Sequence, residues 1–133
     1  MTVLTNLKIG DSLEPVVLKP VSRMDLIKYA GASGDFNPIH TIDDEAKKAG
    51  LPGVIAHGMW TMGNLSKLFS DYYEVGFIED YSIRFKNMVF INDLITLKAT
   101  LVEIEANRLH FSVVATNQDD KKVIVGKIVF NQY

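Results

Sequence analysis

Asp35 and His40, five residues apart, are the pair in this sequence best suited to exchange protons. A carboxylate and an imidazole held at one point can serve as general acid and base near neutral pH once their surroundings tune them. Both sit in the stretch YAGASGDFNPIH, residues 29–40. Pro38 has no N–H and pushes Asn37 out of the helical region, so Asp35 and His40 do not share one continuous helix. Gly34 permits a left-handed turn just before Asp35. Asn37 can bond its own backbone and pin the bend. Such a turn can aim the carboxylate and the imidazole at one small volume. The same residues also suit an ordinary turn leading into a helix.

The flanking segments must position that loop. Ser22 and Asp25 form a capping-box-like start to a short amphipathic helix that ends near Gly31, with Met24, Ile27 and Gly31 on one side. After the loop, Thr41 or Asp43 can cap a helix over 44–49, stopped by Gly50 and Pro52. Its acids come first and its lysines last, which suits the helix dipole. An apolar connector over 51–56 leads to Gly58, which opens the longest helical pattern, running to about Tyr72. Met59, Met62, Ser66, Phe69 and Tyr73 form its stripe. Gly63 interrupts it at a cost of about 1 kcal/mol relative to alanine, which predicts close approach of another backbone or a ligand.

The rest reads as β-structure. Residues 3–11 are a lead-in, and 12–19 a short strand in which Pro15 marks an edge. Tyr81, Ile83 and Phe85 alternate with Ser82, Arg84 and Lys86 until Asn87-Met88, where a bulge or bend is expected. Residues 94–102, 109–116 and 123–130 complete a meander, with a turn over 117–120. The first and last of these are apolar on both faces. The pattern predicts an α+β fold, an antiparallel sheet wrapped around the long helix.

Composition bounds the function. The chain has 133 residues, which predicts one domain over 1–133. A net charge of −2 gives no sequence-wide basic character for nucleic acid. The absence of cysteine excludes disulfides, a thiol nucleophile and thiolate metal sites, and fits a reducing compartment, hence a cytoplasmic location. The first residues, MTVLTNLKIGD, lack the basic start and apolar core of a secretory signal. No apolar run approaches the roughly 20 residues of a membrane span. Gly-Leu-Pro-Gly at 50–53 lacks the Lys-Ser/Thr of a phosphate loop.

The string GDFNPIH at 34–40, followed by IAHGM at 55–59, resembles the signature of the MaoC-like (R)-specific enoyl-CoA hydratases and (3R)-hydroxyacyl-ACP dehydratases. The longer run from Arg23 to His40, then GLPGVIAHGMWTMG, is similar to the catalytic subunit of mycobacterial-type hydroxyacyl-ACP dehydratases. The resemblance covers about residues 8 to 90. It implies a hot-dog fold and reversible hydration of an enoyl thioester on CoA or acyl carrier protein (ACP). It carries the catalytic pair onto Asp35 and His40; His40 is the candidate to activate water and Asp35 to handle the Cα proton, an order that the sequence itself leaves open. Gly58, at the start of the long helix, is the oxyanion candidate, since free N–H groups there favour an anion. A plain N-cap glycine reads the same way. Ser66 matches an active-site serine of the hydratases, and Asn37 is a brace for the loop. His57 suits either a third imidazole or a hydrogen-bonded structural residue, and His110 carries no role. No metal is implied, and no cofactor beyond the CoA or phosphopantetheine that carries the acyl chain. Arg84 and Lys86 suit either a solvated strand face or contact with the carrier's phosphate. Exposed sheet edges predict a dimer, of identical or non-identical subunits. Two rivals stand beside this reading: an acyl-thioester hydrolase, and a non-catalytic subunit that binds acyl chains.

Overall fold

A computed structural model describes residues 3–133; Met1 and Thr2, where the signal-free start is read, lie outside the described residues. Three α-helices, α1 (Arg23–Ser33), α2 (Asp43–Lys48) and α3 (Gly58–Leu65), precede most of the sheet. The strands are β1 (Val16–Val17), β2 (Gly76–Phe85), β3 (Thr96–Glu105), β4 (Arg108–Thr116) and β5 (Lys122–Gln132). They form one sheet in the order β1-β3-β4-β5-β2, every neighbour antiparallel. The expected strand over 12–19 is paired as a ladder only at Val16 and Val17, with a further bridge from Ser12 to Thr100.

The capping box is present: Ser22 Oγ accepts from the Asp25 N–H and Asp25 Oδ2 from the Ser22 N–H, both at 3.0 Å. The helix runs past Gly31 and ends at Gly34, whose φ of 75° is left-handed and turns the chain into the Asp35 loop. Its buried face is Leu26 and Ala30, while Met24 and Ile27 lie exposed, so the apolar side that meets the core is one helical position from the expected one. The start of α2 also differs. Ile42 is its N-cap and offers no side-chain bond; Asp43 instead pairs with Arg23 at 2.7 Å, and Arg23 also donates to the Thr41 carbonyl. That clamp ties the two helix starts together across the loop.

The long helix is a composite. After Leu65 it tightens into a 3₁₀ segment, Ser66–Tyr72. Ser66 Oγ donates to the Gly63 carbonyl at 2.6 Å, a local bond that competes with the α-helical ladder. The buried face is Thr61, Leu65, Leu68, Phe69 and Tyr72, whereas Met59 and Tyr73 are exposed. The predicted stripe shares Phe69 with the buried face, and Met62, half-buried, packs against the same core. Nothing lies within 4 Å of a Cβ built on Gly63, so the expected close approach is not found there. Phe69 anchors the helix to the sheet, edge-on to Phe111 of β4 at 5.1 Å and stacked on Phe130 of β5 at 5.7 Å. On the inward face of the sheet, Leu97, Ala99, Leu101, Phe111, Val113, Ala115 and Ile128 are buried. The strand β2 stops at Phe85 and the chain bends at Asn87, as expected; a register shift between Ile78 and Asp80 is a second irregularity that the alternation did not show.

Candidate active site

The loop after Gly34 is held by its own side chains. Ser33 Oγ accepts from the Asp35 N–H, Asp35 Oδ1 from the Asn37 N–H, and Asn37 Oδ1 from the Ile39 N–H. Asn37 thereby caps the 3₁₀ turn Pro38–His40 that delivers the imidazole. The brace expected of Asn37 is thus a set of backbone bonds. Asp35 Oδ2 lies 3.9 Å from His40 Nε2, with the carboxylate half exposed and the imidazole buried.

The two ring nitrogens of His40 differ. Nδ1 lies 2.7 Å from the Ile55 carbonyl, which can only accept, so Nδ1 carries a hydrogen. In the neutral ring, Nε2 is then the free base, and it is the nitrogen that faces Asp35. The connector over 51–56 thus sets the tautomer of the imidazole.

His57 joins the pair. It is 2 % exposed and stacks on His40, ring centroids 3.8 Å apart and planes 22° apart. Tyr29 of α1 packs edge-on to its other side at 4.9 Å. Its Nε2–H donates to the backbone carbonyl of Asp35 at 3.0 Å, while Nδ1 is buried without a protein partner. His57 therefore pins the acid's backbone and supports the imidazole at once. Of the two readings of His57, the packed and hydrogen-bonded one matches this geometry, in direct contact with the site. The sequence signal was its place directly before the helix and beside Gly58.

Ligand atoms of Asp35, His40 and His57 fall within 4.8 Å of one another, which invites a metal. The ring geometry does not fit one. A metal bonds an imidazole nitrogen at about 2.1 Å in the ring plane. Two stacked rings with planes only 22° apart do not converge on one point at that distance.

Gly58 opens α3 directly after His57, with exposed backbone. A Cβ there would stand 2.7 Å from Phe85 Cε1 at the end of β2, so that ring occupies the space a side chain would need. Gly58, Thr61, Phe85, Lys86 and Met88 are among the residues lining a mostly apolar cavity of about 290 Å³. Ser66 lies along the same helix, and its hydroxyl donates to the Gly63 carbonyl. No hydrogen bond links it to Asp35 or His40 among the described residues.

A curled antiparallel sheet around a helix defines a hot-dog domain, and Asp35 and His40 lie on the loop ahead of that helix. The chain belongs to the MaoC-like domain family, whose family model matches residues 5–123. It is 32 % identical over 127 residues to the fatty acid synthase β subunit TOXC of Cochliobolus carbonum, covering 92 % of this chain and 6 % of that protein. It is 32 % identical over 89 residues to the mitochondrial 3-hydroxyacyl-[acyl-carrier-protein] dehydratase of Arabidopsis thaliana, covering 67 % of this chain and 52 % of the relative. The chain thus spans about half of the plant enzyme and a small fraction of the fungal synthase subunits. Among solved structures, the R-hydratase PhaJ1 of Pseudomonas aeruginosa superposes with a TM-score of 0.88 at 23 % identity, over 96 % of this chain and 83 % of that one. A protein described as a MaoC-like dehydratase gives 0.85 at 30 % identity, over 97 % of this chain and 41 % of that one.

Proposed function

We propose that this chain catalyses the reversible hydration of an enoyl thioester to its (3R)-hydroxyacyl thioester. The carrying observation is the contact of His40 Nε2 with Asp35 Oδ2 at 3.9 Å, with His40 Nδ1 committed to the Ile55 carbonyl. One water can bridge that gap with two bonds of about 2.8 Å. In the hydration direction, His40 Nε2 takes a proton from the water as its oxygen bonds Cβ. The double-bond electrons move toward the thioester oxygen, which the backbone N–H at Gly58 stabilises. His40 passes the water proton to the Asp35 carboxylate across their contact, and Asp35 delivers it to Cα, which leaves both groups as they began. One water is added and no co-reactant is consumed. Acid and base act from one side, so addition is syn. Asn37 holds the loop, and Ser66 is assigned a place beside the substrate by similarity to the hydratases. The reading needs no cofactor beyond the CoA or phosphopantetheine of the substrate, and it suits a cytoplasmic enzyme. The assembly expected is a dimer, with itself or with another hot-dog subunit.

The test is loss of enoyl absorbance with crotonyl-CoA and longer enoyl-CoAs. Wild type should turn over, and Asp35→Asn or His40→Ala should each fall by about 10²–10⁴-fold while remaining folded. Release of free thiol without hydration would favour a hydrolase. Acyl-CoA binding without turnover would favour a non-catalytic subunit.

A further inference from the structure

The outward face of the sheet carries a second organised surface. The register sets Lys98, Val114, Val125 and Arg84 in one row across β3, β4, β5 and β2. The next row is Thr100, Ser112, Lys127 and Ser82. Lys86 and Lys122 stand at the end of this face, where β2 leaves the sheet and β5 enters it. An open groove of about 950 Å³ runs between these side chains, with Arg84, Lys86, Lys122 and Lys127 on its walls. Counting Lys98, five cations gather on this face of a chain whose net charge is −2. Among the described residues, none of the five makes an ion pair. The acids that pair on the sheet, Glu79 and Glu105, both engage Arg108 instead. Lys86 also lines the cavity beside Gly58, so groove and cavity adjoin.

Three occupants carry the complementary charge or shape, and the lining separates them. A second copy of this face would set unpaired cations against cations, which is unfavourable. The nucleotide of free CoA would want an aromatic ring for its adenine to stack on, and no aromatic residue lines the groove. An acidic helix fits better. The three strands that line the groove, β4, β5 and β2, span about 10 Å at their usual spacing, close to the roughly 10–12 Å diameter of a helix with its side chains. Half-buried Val114 and Val125 offer an apolar floor between the charges.

We propose that this groove docks an acidic carrier protein that presents the acyl group on a phosphopantetheine thioester. The inference rests on the hydratase reading and chooses between its two carriers. Lys86 marks the edge over which the pantetheine arm passes toward Gly58.

The test uses the full chain carrying Lys122→Glu and Lys127→Glu, two exposed positions outside the proposed machinery. Three probes carry one crotonyl group: an acidic acyl carrier protein, CoA, and N-acetylcysteamine. With the carrier protein, kcat/KM should fall by about tenfold or more through KM, and the wild-type dependence on ionic strength should flatten. The small thioester should be turned over within about twofold of wild type, which also certifies the fold. The corresponding glutamine pair should give a smaller loss of the same kind. An unchanged KM for the carrier protein would overturn the proposal. Equal losses with CoA would overturn it too, because the groove would then hold the nucleotide. If wild type turns over none of the probes, the hydratase reading fails by itself. Calorimetric titration with the carrier protein then decides docking: weaker binding to the glutamate pair upholds it, and equal binding sinks it.

Discussion

His40 and His57 stack on one another, yet their hydrogen bonds give them different tasks. His40 gives Nδ1–H to Ile55 and keeps Nε2 for Asp35; His57 gives Nε2–H to the Asp35 backbone. Replacing His57 by Phe keeps a ring on His40 but removes the donor that holds the Asp35 carbonyl, a bond worth about 1 kcal/mol. We expect turnover to fall about tenfold, with kcat affected more than KM. His57→Ala, which removes the stack as well, should fall further; equal activity of both variants with wild type would remove His57 from site positioning. Gly58 needs a paired test, because Phe85 crowds it as well. Gly58→Val should lose about 10²-fold or more of turnover, the range for a missing oxyanion donor. In a Phe85→Ala background the same substitution has room. Persistence of the loss there supports the oxyanion role, whereas recovery would mean that the glycine only makes space for the ring. The sequence made the Asp35 loop legible because Gly34, Asn37 and Pro38 each restrict the backbone in a known way. It did not disclose His57's partners, since stacking joins residues seventeen apart that no local pattern relates.

Elements set how tightly those residues are held. Gly126 lets β5 pass close to β2: a Cβ there would lie 2.2 Å from the Ser82 carbonyl oxygen. Gly126→Ala should cost about 1–3 kcal/mol or more through overpacking, read as a lower thermal midpoint. Tyr81 joins β2 to α3 by donating to the Met62 carbonyl. Burial, with Tyr73 nearby, pushes its phenol well above the ordinary 10.0. The folded chain therefore keeps a proton that the unfolded chain gives up at high pH. That contribution to stability is whole below pH about 10 and declines above it. Tyr81→Phe should lose about 1 kcal/mol at neutral pH, and the gap from wild type in urea melts should narrow as pH rises past about 10. A constant gap would count against it. The strands themselves and the two main helices followed from alternation and caps. The strand order did not, because β2 pairs with β5 rather than with β3, so the expected four-strand meander holds only for β3, β4 and β5. The buried faces of α1 and α3 did not, because Met24, Ile27 and Met59 are apolar yet exposed, and only tertiary packing distinguishes them from Leu26 and Leu65. The change to 3₁₀ geometry at Ser66 depends on one side-chain bond that hydrophobic period cannot register.

For the whole molecule, the sheet ends in two unlike edges. One is the two-residue β1 and the other the ten-residue β2. A long edge strand offers unpaired backbone groups to another chain. Sedimentation at micromolar concentration should give a mass near twice 14.9 kDa, and a monomer mass would refute the dimer. Among the described residues no helix is long and apolar enough to cross a membrane. The sheet order has a further consequence, in time. β2 is synthesised before β3, β4 and β5, yet among the described residues its only strand partner is β5. Phe85 must wait for Ile124, and Gly76 for Gln132. At about 5–20 residues per second on the ribosome, that wait lasts seconds. Throughout it, Tyr81, Ile83 and Phe85 lie on a strand with neither edge paired inside its own nascent chain. The edge through which the proposed dimer would form is thus open to a chaperone, or to a sister chain on the same message, before the sheet is complete.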